Sequence, residues 1–521
     1  MNKNKLKLAL LSATTIFGLG CQDSNNESNT IEVPNKPLHF EASVESLQQY
    51  KTPEWFRDAK LGIYMHWGVY SVAERGEWYA RNLYIQGTPE YEHHVKTYGH
   101  PSEFGYKDFI PMWKAENWDP DGLVQLFKRA GARYFSPAAV HHDNFDLWDS
   151  EHHEWNSVNM GPKRDITGEW KAAADKHGLR FGVTTHLSRS YSWMNVANQS
   201  DTEGPKKGIP YDGDNPAYDD FYFPKHSDTH KRAAFNPPKW WRDQWAARMK
   251  DLIDKYDPDH FYFDSAVPFR GDDAGKTGME VISYLYNNSI KNNDGKQEAV
   301  MAIKARPWQG LYADGMATLD YERGKASHIL PDAWQTDDSI GPWGYNPTWP
   351  HGYMDTNMVV DKFLDIVSKN GNMLLNIPIR ADGTLDDKTT EVLEGMGDWF
   401  ELNSEGIYGS RPWYMYGEGK TNEVPHKATR SPFTKKDIRF TVNNGHLYAY
   451  VLDWPGAGNV VTIENIVAMN TRLSEVTSVS ILGSEEEIKW EANGDGLKVT
   501  MPSKKPGDHA FGIKIGFKGK F

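Results

Sequence analysis

Along residues 38–404, short apolar runs alternate with longer stretches in which apolar side chains return at helical spacing. A continuous or alternating apolar run of a few residues reads as a strand, and a return near 3.6 reads as a helix with one buried face. Residues 61–66, 134–140, 179–185, 260–264, 299–303 and 373–377 are the predicted strands. Helices lie between them. One opens at Asp119-Pro120-Asp121-Gly122, a capping residue with proline in the first turn, runs through Leu123, Phe127 and Ala130, and stops at Gly131. Another opens at Asn236-Pro237 and carries Trp241, Trp245, Met249, Leu252 and Tyr256 on one face, a packing stripe rather than a set of ligand contacts. Strand and helix in this order predict an α/β domain of the β/α-barrel kind. Residues 188–236 show no period and are rich in Asp, Pro, Gly and aromatics; following a strand, they are expected on the substrate face. Their acidic residues lack the regular spacing of a calcium loop. After Arg411-Pro412-Trp413 the texture changes to short alternating strands, such as Leu447-Tyr448-Ala449-Tyr450-Val451, which predicts a small C-terminal β-sandwich.

Composition narrows the function classes. The 521 residues suffice for a large barrel and a second domain, and 58 basic against 71 acidic residues leave a net charge of −13, against a nucleic-acid groove or a polybasic membrane surface. Twenty Trp, 26 Tyr and 22 Phe supply flat apolar faces of the kind that pack on sugar rings, although most belong to the core. At the N-terminus, Lys3, Lys5 and Lys7 precede an apolar run, residues 8–20, too short to span a bilayer. Cys21 follows directly and is the only cysteine, so no intramolecular disulfide exists. This resembles the acylated cysteine of a bacterial lipoprotein, with Gly18 where such signals usually carry Leu. The expectation is an exported protein, lipid-anchored at the periplasmic or outer-membrane surface, with ordinary secretion as the alternative. The domains read as a signal segment 1–21, a polar tether 22–37, a barrel 38–408 and a sandwich 409–521.

The candidate chemistry collects at predicted strand ends. In Tyr256-Asp257-Pro258-Asp259-His260-Phe261-Tyr262-Phe263-Asp264-Ser265, a turn and an aromatic strand end on the carboxylate of Asp264. A barrel holds such a group rigidly over the common pocket, whereas the blander reading is a cap on the next turn. Tyr64-Met65-His66-Trp67-Gly68, Gly76-Glu77-Trp78-Tyr79 and His141-His142-Asp143-Asn144 add imidazoles, a carboxylate and indoles, a mixture suited to hydroxyls on one side and a ring face on the other. A metal-dependent hydrolase could use His66, His141, His142 and Asp143. Adjacent residues on a strand point to opposite faces, however, and the first strand lacks a His-x-His pair, which counts against it. A noncatalytic glycan-binding protein on the same fold is the other alternative.

Taken together, Lys60-Leu61-Gly62-Ile63-Tyr64-Met65-His66-Trp67-Gly68 with Glu77-Trp78-Tyr79, His141-His142-Asp143 with Leu147-Trp148-Asp149, the Asp264 strand, Asp320-Tyr321-Glu322-Arg323-Gly324, Trp334-Gln335-Thr336 and Ser368-Lys369-Asn370-Gly371-Asn372 resemble, in order, glycoside hydrolase family 29, the α-L-fucosidases. The resemblance implies a (β/α)8-like TIM barrel with a C-terminal β-sandwich and hydrolysis of α-L-fucosides with retention, with no cofactor and no metal. It implies Asp264 as nucleophile and Glu322 as general acid/base, with Glu77, Glu280 and Glu298 as substitutes for the latter. Arg323 is expected to point away from Glu322, since a guanidinium there would hold the acid ionised. His66, Glu77, Trp78, His141, His142 and Tyr262 take the sugar-binding positions. Asn144 stands where the family has Gly, Tyr262 where it has Trp, and His186 follows a strand end unlike the family's. These departures bear on the substrate: an L-galactoside, which adds a hydroxyl on C6, is the runner-up to an L-fucoside, in an oligosaccharide or an algal galactan.

Overall fold

The computed structural model describes residues 38–518 apart from 233, 306–309, 422–427 and 470–474. The predicted export segment with Cys21 and the predicted tether 22–37 lie outside the described residues.

Eight parallel strands close into a barrel: β1 (Leu61–Tyr64), β2 (Tyr134–Phe135 and Ala138–Val140), β3 (Arg180–Thr185), β4 (His260–Phe263), β5 (Val300–Lys304), β6 (Thr318–Asp320), β7 (Trp334–Ser339) and β8 (Gly371–Asn376). β2 is interrupted at Pro137, which has no N–H to give the ladder, and both its halves pair with β3. The ring shuts between β8 and β1 in the register Leu61↔Met373 to Tyr64↔Asn376. Six of the strands fall where the apolar pattern predicts them. β6 and β7 do not show in that pattern, because β6 is three residues long and β7, Trp-Gln-Thr-Asp-Asp-Ser, is polar although all six residues are buried.

The outer helices begin where acidic residues stop them from fraying. Asp119, Asp165, Asp355 and Asp386 each accept a backbone N–H in the first turn of α1 (Pro120–Arg129), α2 (Ile166–His177), α5 (Thr356–Val367) and α6 (Asp387–Asn403). α3 (Lys239–Tyr256) buries its predicted stripe, Trp241, Trp245, Met249, Leu252 and Tyr256, against the barrel, and α4 (Lys276–Asn292) packs beside it. On β4, Phe261 and Phe263 join this outer core, while His260 and Tyr262 point into the barrel. The lower interior is a plug of Phe56, Tyr64, Tyr134, Val300 and Leu374, and a Cβ on Gly62 would sit 2.2 Å from the Tyr134 ring. The barrel is filled below and open only at its C-terminal face.

Residues 188–236, expected as an aperiodic loop, fold as short helical turns with a buried interior that includes Trp193, Met194, Phe221 and Tyr222. The C-terminal region is antiparallel. β9 (Gly417–Glu418), β10 (Ile438–Asn443), β11 (His446–Val451), β13 (Val476–Ile481) and β16 (Phe511–Phe517) form one sheet in the order β9-β10-β11-β16-β13. β12 (Val460–Ile463), β14 (Trp490–Asn493) and β15 (Gly496–Thr500) form the other, and Phe440, Ala449, Ile463, Val499 and Ile513 fill the space between them. This is the predicted sandwich. Its first sheet also meets the barrel, where Tyr448 and Tyr450 join the barrel's core and Arg439 reaches Asp365 on α5 at 2.7 Å.

Candidate active site

The strand ends converge on one pocket of about 120 Å³. β1 leads to His66, β2 to His141 and His142, β3 to His186 and Arg189, and β4 to Asp264; β5 ends in Lys304, β6 leads to Glu322, and β7 supplies Asp337. Glu77, Trp78 and Trp343 close the sides. Convergence at the C-terminal face is what a closed parallel barrel imposes, since all strand axes tilt toward it.

Lys304 organises the floor. Its side chain is 1% exposed, and its ammonium donates to Asp264 Oδ1 and to Glu322 Oε2, the latter at 2.9 Å, with Asp337 Oδ2 at 3.7 Å. A buried amine ordinarily loses its proton, but here the carboxylates outweigh burial and raise its pKa. On the other side of Asp264, Arg189 Nη2 stands 3.0 Å from its carboxylate as an ion pair and donates to its main-chain oxygen at 2.8 Å. Burial pushes the Asp264 carboxyl up, yet Arg189 and Lys304 together hold it well below the usual carboxylate range. Beneath, the Tyr262 hydroxyl donates toward Asp320 at 3.2 Å and Asp337 at 3.1 Å, and burial raises the pKa of both acids. Arg323 spends its guanidinium on Gly341 O at 3.2 Å, on Asp338 at 3.6 Å and on the Trp343 ring at 4.4 Å.

The histidines are neutral, because burial lowers His66, holds His141 and His186 well below the usual imidazole range and brings His142 down to about 3. Their tautomers follow from their partners. Asn376 gives its amide N–H groups to Ser339 Oγ and Trp343 O, so its oxygen accepts from His66 Nδ1 at 2.9 Å. His66 Nε2 is then an acceptor and takes the Nε2 proton of His186 at 3.2 Å. His142 donates from Nδ1 to His186 O at 2.8 Å, leaving Nε2 as an acceptor 3.7 Å from Asp264 Oδ2. The lone pair of His66 Nε2 is thus already taken, whereas that of His142 calls for a hydroxyl hydrogen between it and the Asp264 carboxylate.

His66, His141 and His186 also bring ring nitrogens within 4.8 Å of one another, which is the donor set of a divalent ion. Arg189 and Lys304 stand at the same pocket and oppose a cation there, whereas sugar hydroxyls meet the same nitrogens without that cost. The alternation rule applied to His141 and His142 does not hold for them: both follow the end of β2 at Val140, beyond the pleat, and both line the pocket.

Of the residues singled out from sequence, Asp264, Glu322, His66, Glu77, Trp78, His141 and His142 all line this pocket. Tyr262 does not; it is fully buried one layer below, and Lys304 passes 5.6 Å over its ring, so it lies under the floor and not on the pocket wall. Glu280 lies on α4 and Glu298 precedes β5 at the closed end of the barrel, its carbonyl accepting from Trp55. Glu77 accepts from Gly344 N at 2.9 Å across the pocket from the lysine. Asn144 is also outside the pocket. It sits at φ +62° in the left-handed region, where Gly or Asn is tolerated, and binds Arg248 and the carbonyls of Asp220 and Phe221. Arg189, Lys304 and Asp337 are lining residues that sequence reasoning passed over, and His186 entered it only as a departure bearing on the substrate.

The family model described as alpha-L-fucosidase matches residues 28–405, and that described as the alpha-L-fucosidase C-terminal domain matches residues 431–516. Tissue alpha-L-fucosidase of Rattus norvegicus is 28% identical over 478 residues, covering 90% of each chain. The Homo sapiens tissue enzyme is 27% identical over 490 residues, covering 92% of each. Among solved structures, Thermotoga maritima alpha-fucosidase in complex with fucose superposes with a TM-score of 0.68 at 27% identity, over 91% of this chain and all of that one. The same Thermotoga protein bound to a mechanism-based inhibitor gives 0.68 at 26% identity, over 92% of this chain and 100% of that one.

Proposed function

The chain belongs to the α-L-fucosidase family of glycoside hydrolases, and on that premise we propose that it is a retaining, exo-acting enzyme that releases terminal α-L-fucosyl residues from oligo- or polysaccharides. The observation that carries this reading is the single ammonium of Lys304 hydrogen-bonded to both Asp264 and Glu322. Two oxygens held by one nitrogen cannot lie farther apart than two hydrogen bonds end to end, roughly 5–6 Å. That matches the spacing of about 5–5.5 Å at which one carboxylate attacks directly, and falls short of the roughly 6.5–9.5 Å needed to seat a water in an inverting site.

Asp264, kept ionised by Arg189 and Lys304, attacks the anomeric carbon as the glycosidic C–O bond breaks, and Glu322, which must hold its proton against the Lys304 ammonium at its Oε2, gives it to the departing oxygen. Water then attacks the glycosyl ester, Glu322 takes its proton, and the sugar leaves with its original configuration. The acceptor nitrogen of His142 orients a hydroxyl, and Trp78 offers a ring face. A pocket of about 120 Å³ suits one terminal residue. The complex of the Thermotoga neighbour with a mechanism-based inhibitor agrees with a covalent route. Proton NMR of the first turnovers on an aryl α-L-fucoside tests it: α-L-fucose must form before mutarotation, and β-L-fucose appearing first would overturn the proposal.

One observation favours a second reading. Apart from Trp78, Trp343 and the ring of Tyr64, the pocket wall is charged or imidazole, with His186 among its lining residues. A hydroxyl on C6 would find partners there, so an α-L-galactoside is the second candidate. An apolar wall rejects an added hydroxyl by only about a hundredfold. The ratio of kcat/KM on aryl α-L-fucoside and aryl α-L-galactoside decides between them. Export and lipid attachment at Cys21 belong to the same proposal; incorporation of labelled fatty acid by the wild type and not by Cys21→Ser would support it, and equal labelling would refute it.

A further inference from the structure

A second cavity, of about 220 Å³, lies beside the catalytic pocket. Arg323 lines it and stacks on Trp343, which lines the catalytic pocket, so the pair forms a shared wall. The strand-end loop that carries Glu322 runs on through Arg323 and Lys325 along this cavity. In the mechanism above the leaving sugar departs past Glu322, which puts the cavity on the aglycone side.

Its charge is unbalanced. Arg323, Lys325 and Lys362 line it together with Asp338 and Asp365. Lys362 is bonded to Asp338, and Arg323 Nη1 is 3.6 Å from that same carboxylate. Asp365 accepts from Lys369 at 2.8 Å and from Arg439 at 2.7 Å, and Lys325 Nζ, itself buried, stands 2.9 Å away without hydrogen-bonding geometry to it. Among the described residues, five cations thus share two carboxylates. The neighbouring acids do not redress this, since burial pushes Asp361 up to about 8 and Asp355 is paired with Arg430 at 2.8 Å. The Arg323 and Lys362 side chains keep 14% and 18% of their surface exposed, so an arriving group reaches them, whereas the Lys325 ammonium is buried behind them. Trp349, half-buried, adds an aromatic face.

We propose that this cavity is an aglycone subsite for a sugar carrying an anionic group, a sulfate ester or a uronate carboxylate, which Arg323 and Lys362 bind while the buried Lys325 adds its charge from behind. Ammonium and guanidinium groups in excess of their carboxylates, partly shielded from water, are what such an anion pairs with most strongly. The inference rests on the glycosidase reading for the direction in which the aglycone lies.

The test measures kcat/KM on three α-L-fucosyl disaccharides that differ only in the reducing-end sugar, neutral, O-sulfated or uronic, for wild type, Lys362→Met and Lys325→Ser. An aryl α-L-fucoside reads the catalytic pocket separately. The wild type should favour an anionic aglycone by roughly tenfold or more, and both variants should bring that ratio to within about threefold of unity. Preference for the sulfated or for the uronic substrate alone identifies the anion. Equal kcat/KM on all three, with the aryl fucoside turned over, overturns the subsite and leaves the glycosidase reading standing. If no fucoside is cleaved, that reading falls, and calorimetric titration of the folded protein with sodium sulfate and sodium glucuronate against sodium chloride at equal ionic strength decides the cavity. Saturable binding that is lost in Lys362→Met supports an anion site, and no binding beyond chloride refutes it.

Discussion

Lys304→Met removes a charge and keeps the volume of a chain that is almost fully buried. Its ammonium meets Asp264 and Glu322 within hydrogen-bond reach and Asp337 at 3.7 Å, while Arg189 remains 3.0 Å from Asp264 after the change. At an effective dielectric constant of about 20, one charge pair near 4 Å amounts to roughly 4 kcal/mol before desolvation is subtracted. With Arg189 retained and the lysine no longer desolvated, a net loss of about 2–4 kcal/mol is expected, or roughly 30- to 1,000-fold in kcat/KM. Lys304→Arg should recover part of it. A structural defect alone would lower activity evenly with pH, whereas the present account requires a shift of the profile. Asp264 has a depressed folded pKa, so its ionised form stabilises the fold above the ordinary carboxylate value of about 3.9, and that contribution is lost as pH falls through the depressed value. Taking Lys304 away raises the folded value, so both acid inactivation and the acid limb of kcat/KM should move to higher pH. Stopped assays from pH 3 to 9, with thermal unfolding across the same range, would show it. Activity within threefold of wild type and an unmoved acid limb would refute the role given to Lys304.

Asp264→Ala should lose several orders of magnitude in turnover while still binding fucose, and azide should restore cleavage of an activated aryl fucoside with β-L-fucosyl azide as product; near-normal hydrolysis without azide would make the nucleophile assignment wrong. Glu322→Ala should lose about 10²–10⁴-fold on substrates with basic leaving groups and far less on a dinitrophenyl fucoside, because only the former need a proton in the first step. A uniform loss across leaving groups would move the acid to another residue. Arg248→Met, at a fully buried pair with Asp146 beside Asn144, should lower the stability to unfolding by about 3–5 kcal/mol with little change in the KM of the folded enzyme. Unchanged denaturant midpoints would mean that this network is not what holds the β2 loop.

How far the fold was legible follows hydrophobicity closely. β4, with Phe261 and Phe263 turned to the helices, and α3, with its tryptophan stripe, announce themselves because their buried faces are apolar. Asp119 and Pro120 mark the start of α1 by their own chemistry, and the sandwich strands alternate because one face meets a core. β7 is silent. Gln335 binds His260 and Asp320, Asp337 faces Lys304, and Asp338 holds Lys362, so its buried side chains satisfy other polar groups instead of an apolar core. No scale that equates burial with hydrophobicity finds such a strand.

The same cause hid part of the site. His141, His142 and Asp264 were visible as polar residues where an apolar strand stops, and His186 stands one residue past the end of β3 in the same relation, a signal that was read only as bearing on the substrate. Lys304 needed a different one. It follows Val300 and Ala302 at a period of two on β5, the inward side of the barrel, but a lysine at the end of an apolar run ordinarily reads as the residue that returns to solvent. What decides otherwise is the set of carboxylates from β4, β6 and β7, and none of these is near it in sequence. A buried ammonium is tolerable only with such partners, and the partners are tolerable together only with the ammonium. The strand ends of the barrel therefore specify one another across 74 residues of chain between Asp264 and Ser339, and the residue that sets the charge state of the nucleophile is one whose local sequence gives it no reason to be inside.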